Sequence, residues 1–146
     1  MISAVRPGGW LMLEDTDFGG LLSATLARYA YPPEHAAVLE RIFGAAATVF
    51  AAAGADPSCG ARLIAELKQA GLVNVAGEIH APIVAGGTET WSRGSIEQLA
   101  PHLVSGGLAT ADDVERALAL TADRSCHCAL PFVITAWGQC PSVTSC

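Results

Sequence analysis

The sequence predicts an α/β domain, and three observations carry that expectation. Apolar, strand-like segments recur near the start, middle and end of the chain. Amphipathic helical stretches separate them. Turn signals punctuate the joins. With 146 residues, 51% hydrophobic and 15% charged, the chain has the material for one buried core. That composition excludes a disordered acidic tail.

Arg6-Pro7-Gly8-Gly9 reads as a sharp turn after what looks like a helix end at residues 1–6. Trp10-Leu11-Met12-Leu13 then runs apolar on both faces, which predicts a strand buried on both sides. Glu14, Asp15, Asp17 and Phe18 are expected at its carboxyl end. A short helix is predicted over Leu21–Tyr29, with Leu22, Leu26 and Tyr29 at helical spacing, stopped by Tyr31-Pro32-Pro33. A longer helix follows over Glu34–Ala53, with Leu39, Ile42, Phe43, Ala46, Val49 and Phe50 as its apolar stripe.

Asp56-Pro57 predicts a helix start, with aspartate as N-cap and proline first. Leu63, Ile64 and Leu67 form that helix's buried face, and Gly71-Leu72 its C-cap. Val73, Val75, Gly77 and Ile79 alternate with polar or small residues, which predicts a strand; Pro82 puts it at a sheet edge. Gly86-Gly87 breaks that strand. Ser95 is read as the cap of a helix reaching about Val104. Thr110-Ala111-Asp112-Asp113 reads as a capping box for a helix to about Leu120. Phe132–Trp137 is the last buried strand, closed by Gly138, with Trp137 anchoring the core. Residues 139–146 read as an unstructured tail beyond a single domain over 1–138.

The run from Arg6 to Asp15 resembles the motif at the fifth strand of class I methyltransferases, the enzymes that use S-adenosylmethionine. There a basic residue, proline and two glycines lead into an apolar strand ending in acid. Leu63–Val75 resembles the helix and sixth strand that follow, and Leu130–Gly138 resembles the seventh strand of the small-molecule branch. The resemblance covers essentially residues 1–138. It implies a partial Rossmann-like sheet in which the reversed seventh strand lies between the fifth and the sixth.

The family's cofactor-binding glycine loop and the acid after its second strand precede the fifth strand, so the resemblance implies their absence here. No paired glycine in the chain follows a strand and opens a long helix. This chain would then be the substrate-side half of an S-adenosylmethionine-dependent methyltransferase acting on a small molecule. It is expected to be inactive alone and to bind no cofactor by itself. Glu14, Asp15, Asp17, Phe18, Trp91 and Arg93 are the expected substrate-binding residues. The acids sit where open α/β sheets bind ligands, and the other two lie in an insertion that covers substrate in the family.

An alternative is a non-enzymatic binding module that pairs through the exposed edge of the first strand, as a homodimer or with a complementing N-terminal half. Cys126-His127-Cys128 lacks the spacing of a structural zinc site, so no metal is expected. His80 reads as a solvent-facing strand residue. A net charge of −6 disfavours nucleic acid and anionic membranes as partners. The longest uncharged apolar run, Ile42–Ala55, is shorter than a membrane span. An odd count of five cysteines and no basic-then-apolar leader point to the cytoplasm.

Overall fold

The computed structural model describes residues 2–17, 25–87 and 91–142. Its elements, in chain order, are β1 (Trp10–Asp17), α1 (Ala36–Ala52), α2 (Cys59–Gln69), β2 (Val73–His80), β3 (Ile83–Ala85), α3 (Trp91–Ser105), α4 (Ala111–Ala122), β4 (His127–Ala129) and β5 (Phe132–Gln139). The mixed α/β class follows. One sheet has the order β1-β5-β2, with β5 antiparallel to both neighbours. A second, two-stranded antiparallel sheet pairs β3 with β4.

The chain enters β1 through the expected turn. Gly8 takes a φ of +75°, open to glycine, and the Gly9 N–H donates to the Arg6 carbonyl at 2.9 Å. The same corner holds the end of the last strand. The Gly8 N–H donates to the Cys140 carbonyl (3.1 Å) and the Cys140 N–H to the Gly9 carbonyl (2.8 Å). Gln139 is therefore the last residue of β5, and Cys140 is buried. Gly138 lies within the strand rather than closing it. A Cβ there would come within 2.9 Å of Leu72, which fills the space.

The main departure concerns β1. It extends four residues past Leu13, and it is covered on one side only. Trp10 is 56% and Met12 69% exposed. The register explains why. Trp10, Met12, Glu14 and Thr16 share a face with Trp137, Thr135 and Val133 of β5 and with Ala76, Glu78 and His80 of β2. Among the described residues, α2 is the helix laid on this sheet, and it lies on the opposite face. Trp137 is accordingly half-buried on the open face, not a core anchor.

On the covered face two glycines let α2 approach closely. A Cβ at Gly60 would sit 2.9 Å from Ile134, and one at Gly77 would sit 2.9 Å from Ile64. Leu63 and Leu67 of α2 then pack with Phe132, Ile134 and Ala136. The helix starts at Cys59, later than Asp56-Pro57 suggests. The Asp56 carboxylate instead accepts from the Ser58 N–H at 2.9 Å and pairs with Arg62. Those contacts hold the Asp56 carboxyl below its ordinary pKa, the Ser58 bond first. At the other end Gly71 (φ +83°) is the expected cap, and the Leu72 N–H reaches back to the Leu67 carbonyl at 3.1 Å. β2 is the sheet edge opposite β1, as expected, but Pro82 lies in the link to β3 rather than on the strand.

The remaining helices form a second layer. Val38, Leu39 and Ile42 of α1 pack with Ile96 and Leu103 of α3 and with Val114 and Ala117 of α4. Phe43 touches both this core and that of the sheet. α3 begins at Trp91, so Ser95 falls inside it and does not cap it. Of the short helix predicted over 21–29, Leu26 is buried, Tyr29 is exposed, and residues 21–24 lie outside the described ones. Pro33–Ala52 is long and apolar enough to pass as a membrane span by length and composition. Val38, Leu39, Ile42, Ala45 and Ala46 within it are buried in the protein core.

Thr110 and Asp113 make the expected capping box. Thr110 Oγ1 accepts from the Asp113 N–H at 3.1 Å, and Asp113 Oδ2 accepts from the Thr110 N–H at 3.3 Å. Arg41 of α1 also donates to Asp113 Oδ1 from Nη2 (2.6 Å) and Nε (3.1 Å). Arg41, then Thr110, lower the Asp113 carboxyl pKa from 3.8 to about 2. A depressed carboxylate adds stability above its unfolded value and loses it as pH falls through the folded one. Comparing the wild type with Asp113→Asn by urea unfolding should therefore show a gap at pH 6 that closes between about pH 4 and pH 2. A gap independent of pH would remove the ion pair as its cause.

Candidate functional site

The carboxyl end of β1 is where the acids gather, and the two-residue period of a strand divides them. Glu14 lies on the open face, where the Thr135 hydroxyl donates to its Oε2 at 3.0 Å. Asp15 and Asp17 lie on the face toward α2. All three belong to β1 itself, not to a loop after it. Asp15 Oδ1 accepts from the Thr16 N–H at 2.7 Å. Its carboxylate also accepts from the thiol of Cys59, the first residue of α2. That hydrogen bond first, and then burial, push the Cys59 pKa up, keeping it a thiol at neutral pH.

Asp17 is only 2% exposed. It lines a cavity of about 420 Å³ between α2 and the β2 edge, with Ala61, Ile64, Gly77, Ile79 and Ile134 among its walls. A second hollow of about 230 Å³ opens on the other face, lined by Thr16, Pro82, Leu130, Pro131 and Val133. Glu14, Glu78 and His80 occupy that same face, in rows adjoining Thr16 and Val133.

The other expected site residues stand apart. Phe18 lies outside the described residues. Trp91 is the first residue of α3. Arg93, two residues on, is half-exposed and donates to Glu97 Oε1 at 2.9 Å, an i,i+4 pair along the helix surface. The structure thus brings Glu14, Asp15 and Asp17 to one end of the sheet and leaves Arg93 paired in the helical layer. Cys59 and Thr135 were not anticipated. Strand alternation alone separates Glu14 from Asp15 and Asp17, but the partners across the sheet depend on register.

Cys126 and Cys128 are buried, and His127 between them points outward from β4. Cys59, Cys126 and Cys140 are free thiols. Among the described residues, no three or more His, Cys, Asp and Glu side chains come together as a metal site.

A nucleotide-type cofactor needs backbone N–H groups presented by a glycine-rich turn between a strand and a helix. The paired glycines described here have other duties. Gly8-Gly9 precedes β1. The Gly86 N–H donates to the Cys126 carbonyl and the Gly87 N–H to the Thr121 carbonyl. The Gly106 and Gly107 N–H groups close the end of α3 on His102 and Val104. None of these three described pairs forms a cradle for S-adenosylmethionine; Gly19-Gly20 lies outside the described residues.

Neither a protein-family model nor a curated protein matches this chain.

Proposed function

We propose that these residues are the substrate-side half of a class I S-adenosylmethionine-dependent methyltransferase that acts on a small molecule. The observation that carries the reading is the strand order. β5, last in the chain, lies reversed between β1 and β2, which are parallel to one another. The Arg6–Gly9 turn into β1 and the acids at its carboxyl end add support. So does the layer of α1, α3 and α4, inserted around β2 in sequence. In such an enzyme the sulfonium makes the methyl group electrophilic, and the protein's task is chiefly alignment. The share assigned to this half is to bind and orient the acceptor. The free thiols accord with work in the cytoplasm.

The test uses the native polypeptide that carries these residues, isolated from its source and given S-adenosylmethionine labelled in the methyl group. Label is expected in the small-molecule fraction, while the 146-residue chain alone neither transfers it nor binds S-adenosylhomocysteine. Transfer by the chain alone would overturn the half-enzyme reading. Failure of the native polypeptide both to transfer and to bind would overturn the methyltransferase reading.

One observation favours a second reading, a pairing module. The outer edge of β1 has no strand beside it among the described residues, and Trp10 and Met12 are exposed next to that edge. Light scattering at twice 15.0 kDa, returned to monomer by Met12→Lys, would support it. A monomer at all concentrations would dispose of self-pairing.

A further inference from the structure

The cavity beside Asp17 combines two properties. Its volume, about 420 Å³, is within the range that holds small ligands. Its walls are apolar at Ala61, Ile64, Ile79 and Ile134, and its acidic lining residues are Asp17 and Glu78, the latter at a strand position that faces the other side of the sheet. We propose that it is a binding site for an organic ammonium ion with an apolar body. This goes beyond the methyl-transfer reading and does not depend on it.

Charge decides the class of ligand. Among the described residues, no lysine, arginine or histidine lines the cavity. The first turn of α2 by itself would favour an anion there. Asp15 and Asp17, on the strand facing that turn, set two acidic side chains against it. The nearby cation Arg62 is engaged with Asp56 and Glu66. A cation that leaves water needs a partner, and Asp17, 2% exposed, is the buried acid among the lining residues, while Ile79 at the rim stays exposed. A carboxylate has about four acceptor sites, so it takes an ammonium N–H in addition to its existing contact. A primary or secondary amine suits it better than a quaternary one, which has no N–H to donate. A bare metal ion is disfavoured because Asp17 and Glu78 occupy strand positions on opposite faces of the sheet, and the other walls are aliphatic or glycine.

Three probes of one shape test this: 3-phenylpropylammonium, 3-phenylpropanol and 3-phenylpropionate. They are titrated into the isotopically labelled chain with no cofactor, and amide signals are followed by NMR. The ammonium should move the signals of Gly77 and Ile79 and bind at least about tenfold more tightly than the alcohol. The carboxylate should not bind. Asp17→Asn should reduce the ammonium to the level of the alcohol. Because Asp17 is buried and its variant can fail to fold, Ala61→Phe gives an independent arm. Ala61 is exposed at the cavity wall, and the larger side chain should abolish binding of both ammonium and alcohol. Ammonium binding no tighter than alcohol, signals moving elsewhere, or binding untouched by Ala61→Phe would each overturn the proposal. All of these readings stand whether or not the native polypeptide transfers methyl groups.

Discussion

Gly86→Ala is expected to destabilise the protein by roughly 3 kcal/mol or more, a large share of a typical domain's stability. The reason is space, not backbone conformation. A Cβ at Gly86 would overlap the Asp123 carbonyl oxygen and sit 2.7 Å from the Leu120 carbonyl oxygen. Both are backbone atoms at the end of α4, so no side chain can turn aside. Gly86 and Gly87 donate to Cys126 and Thr121 from this seat, fastening β3 to the helical layer. Gly71→Ala is the control. Gly71 has a φ of +83°, and a methyl group added there would meet nothing within 4 Å, so it should lose only about 1–2 kcal/mol of left-handed strain. Urea unfolding of the two variants separates the causes. Equal losses would mean that the β3 turn is not seated as tightly as described.

Leu103→Ala should cost about 2–5 kcal/mol. Leu103 is 0% exposed and stands where α1, α3 and α4 meet. A void of about 30 Å³ already adjoins it, bounded also by Phe43, Phe50 and Ile96. Truncation would enlarge that void rather than let the helices close over it. The adjacent Val104 is 43% exposed, and Val104→Ala should stay within about 1 kcal/mol. Thermal unfolding of both variants checks the contrast. A mild Leu103→Ala would show that the helical layer relaxes into the gap.

Local chemistry was the part of this fold that could be read from residues alone. The Thr110–Asp113 box, the Gly71-Leu72 cap and the Gly8-Gly9 turn each rest on a few neighbouring residues, and each forms as expected. Element starts were less legible where two signals compete. Asp56 does accept a backbone N–H, but in a turn ahead of α2, and Gly94 hides the earlier start of α3. Faces were least legible. Trp10-Leu11-Met12-Leu13 is apolar at every position, so its composition cannot say whether one or both sides are covered. That depends on α2 lying on one side, a fact of tertiary packing. The acids showed the same division. Their place at the end of β1 was readable, but the cavity beside Asp17 needs the register of β2 against β5 and the close approach allowed by Gly60 and Gly77.

The central position of β5 also sets an order on biosynthesis. Among the described residues β1 and β2 do not pair with each other; each pairs with β5, which leaves the ribosome after both. At about 5–20 residues per second, β1 waits on the order of ten seconds for its neighbour. Through that interval its apolar residues have α2 to lie against but no ladder to join. The helical layer has no such delay between α3 and α4, which are consecutive in the chain. The nascent protein therefore gathers its helices early and closes this sheet only after them. A ribosome stalled before Phe132 should hold a chain rich in helix, sensitive to protease along β1 and β2, and inclined to stick to its neighbours.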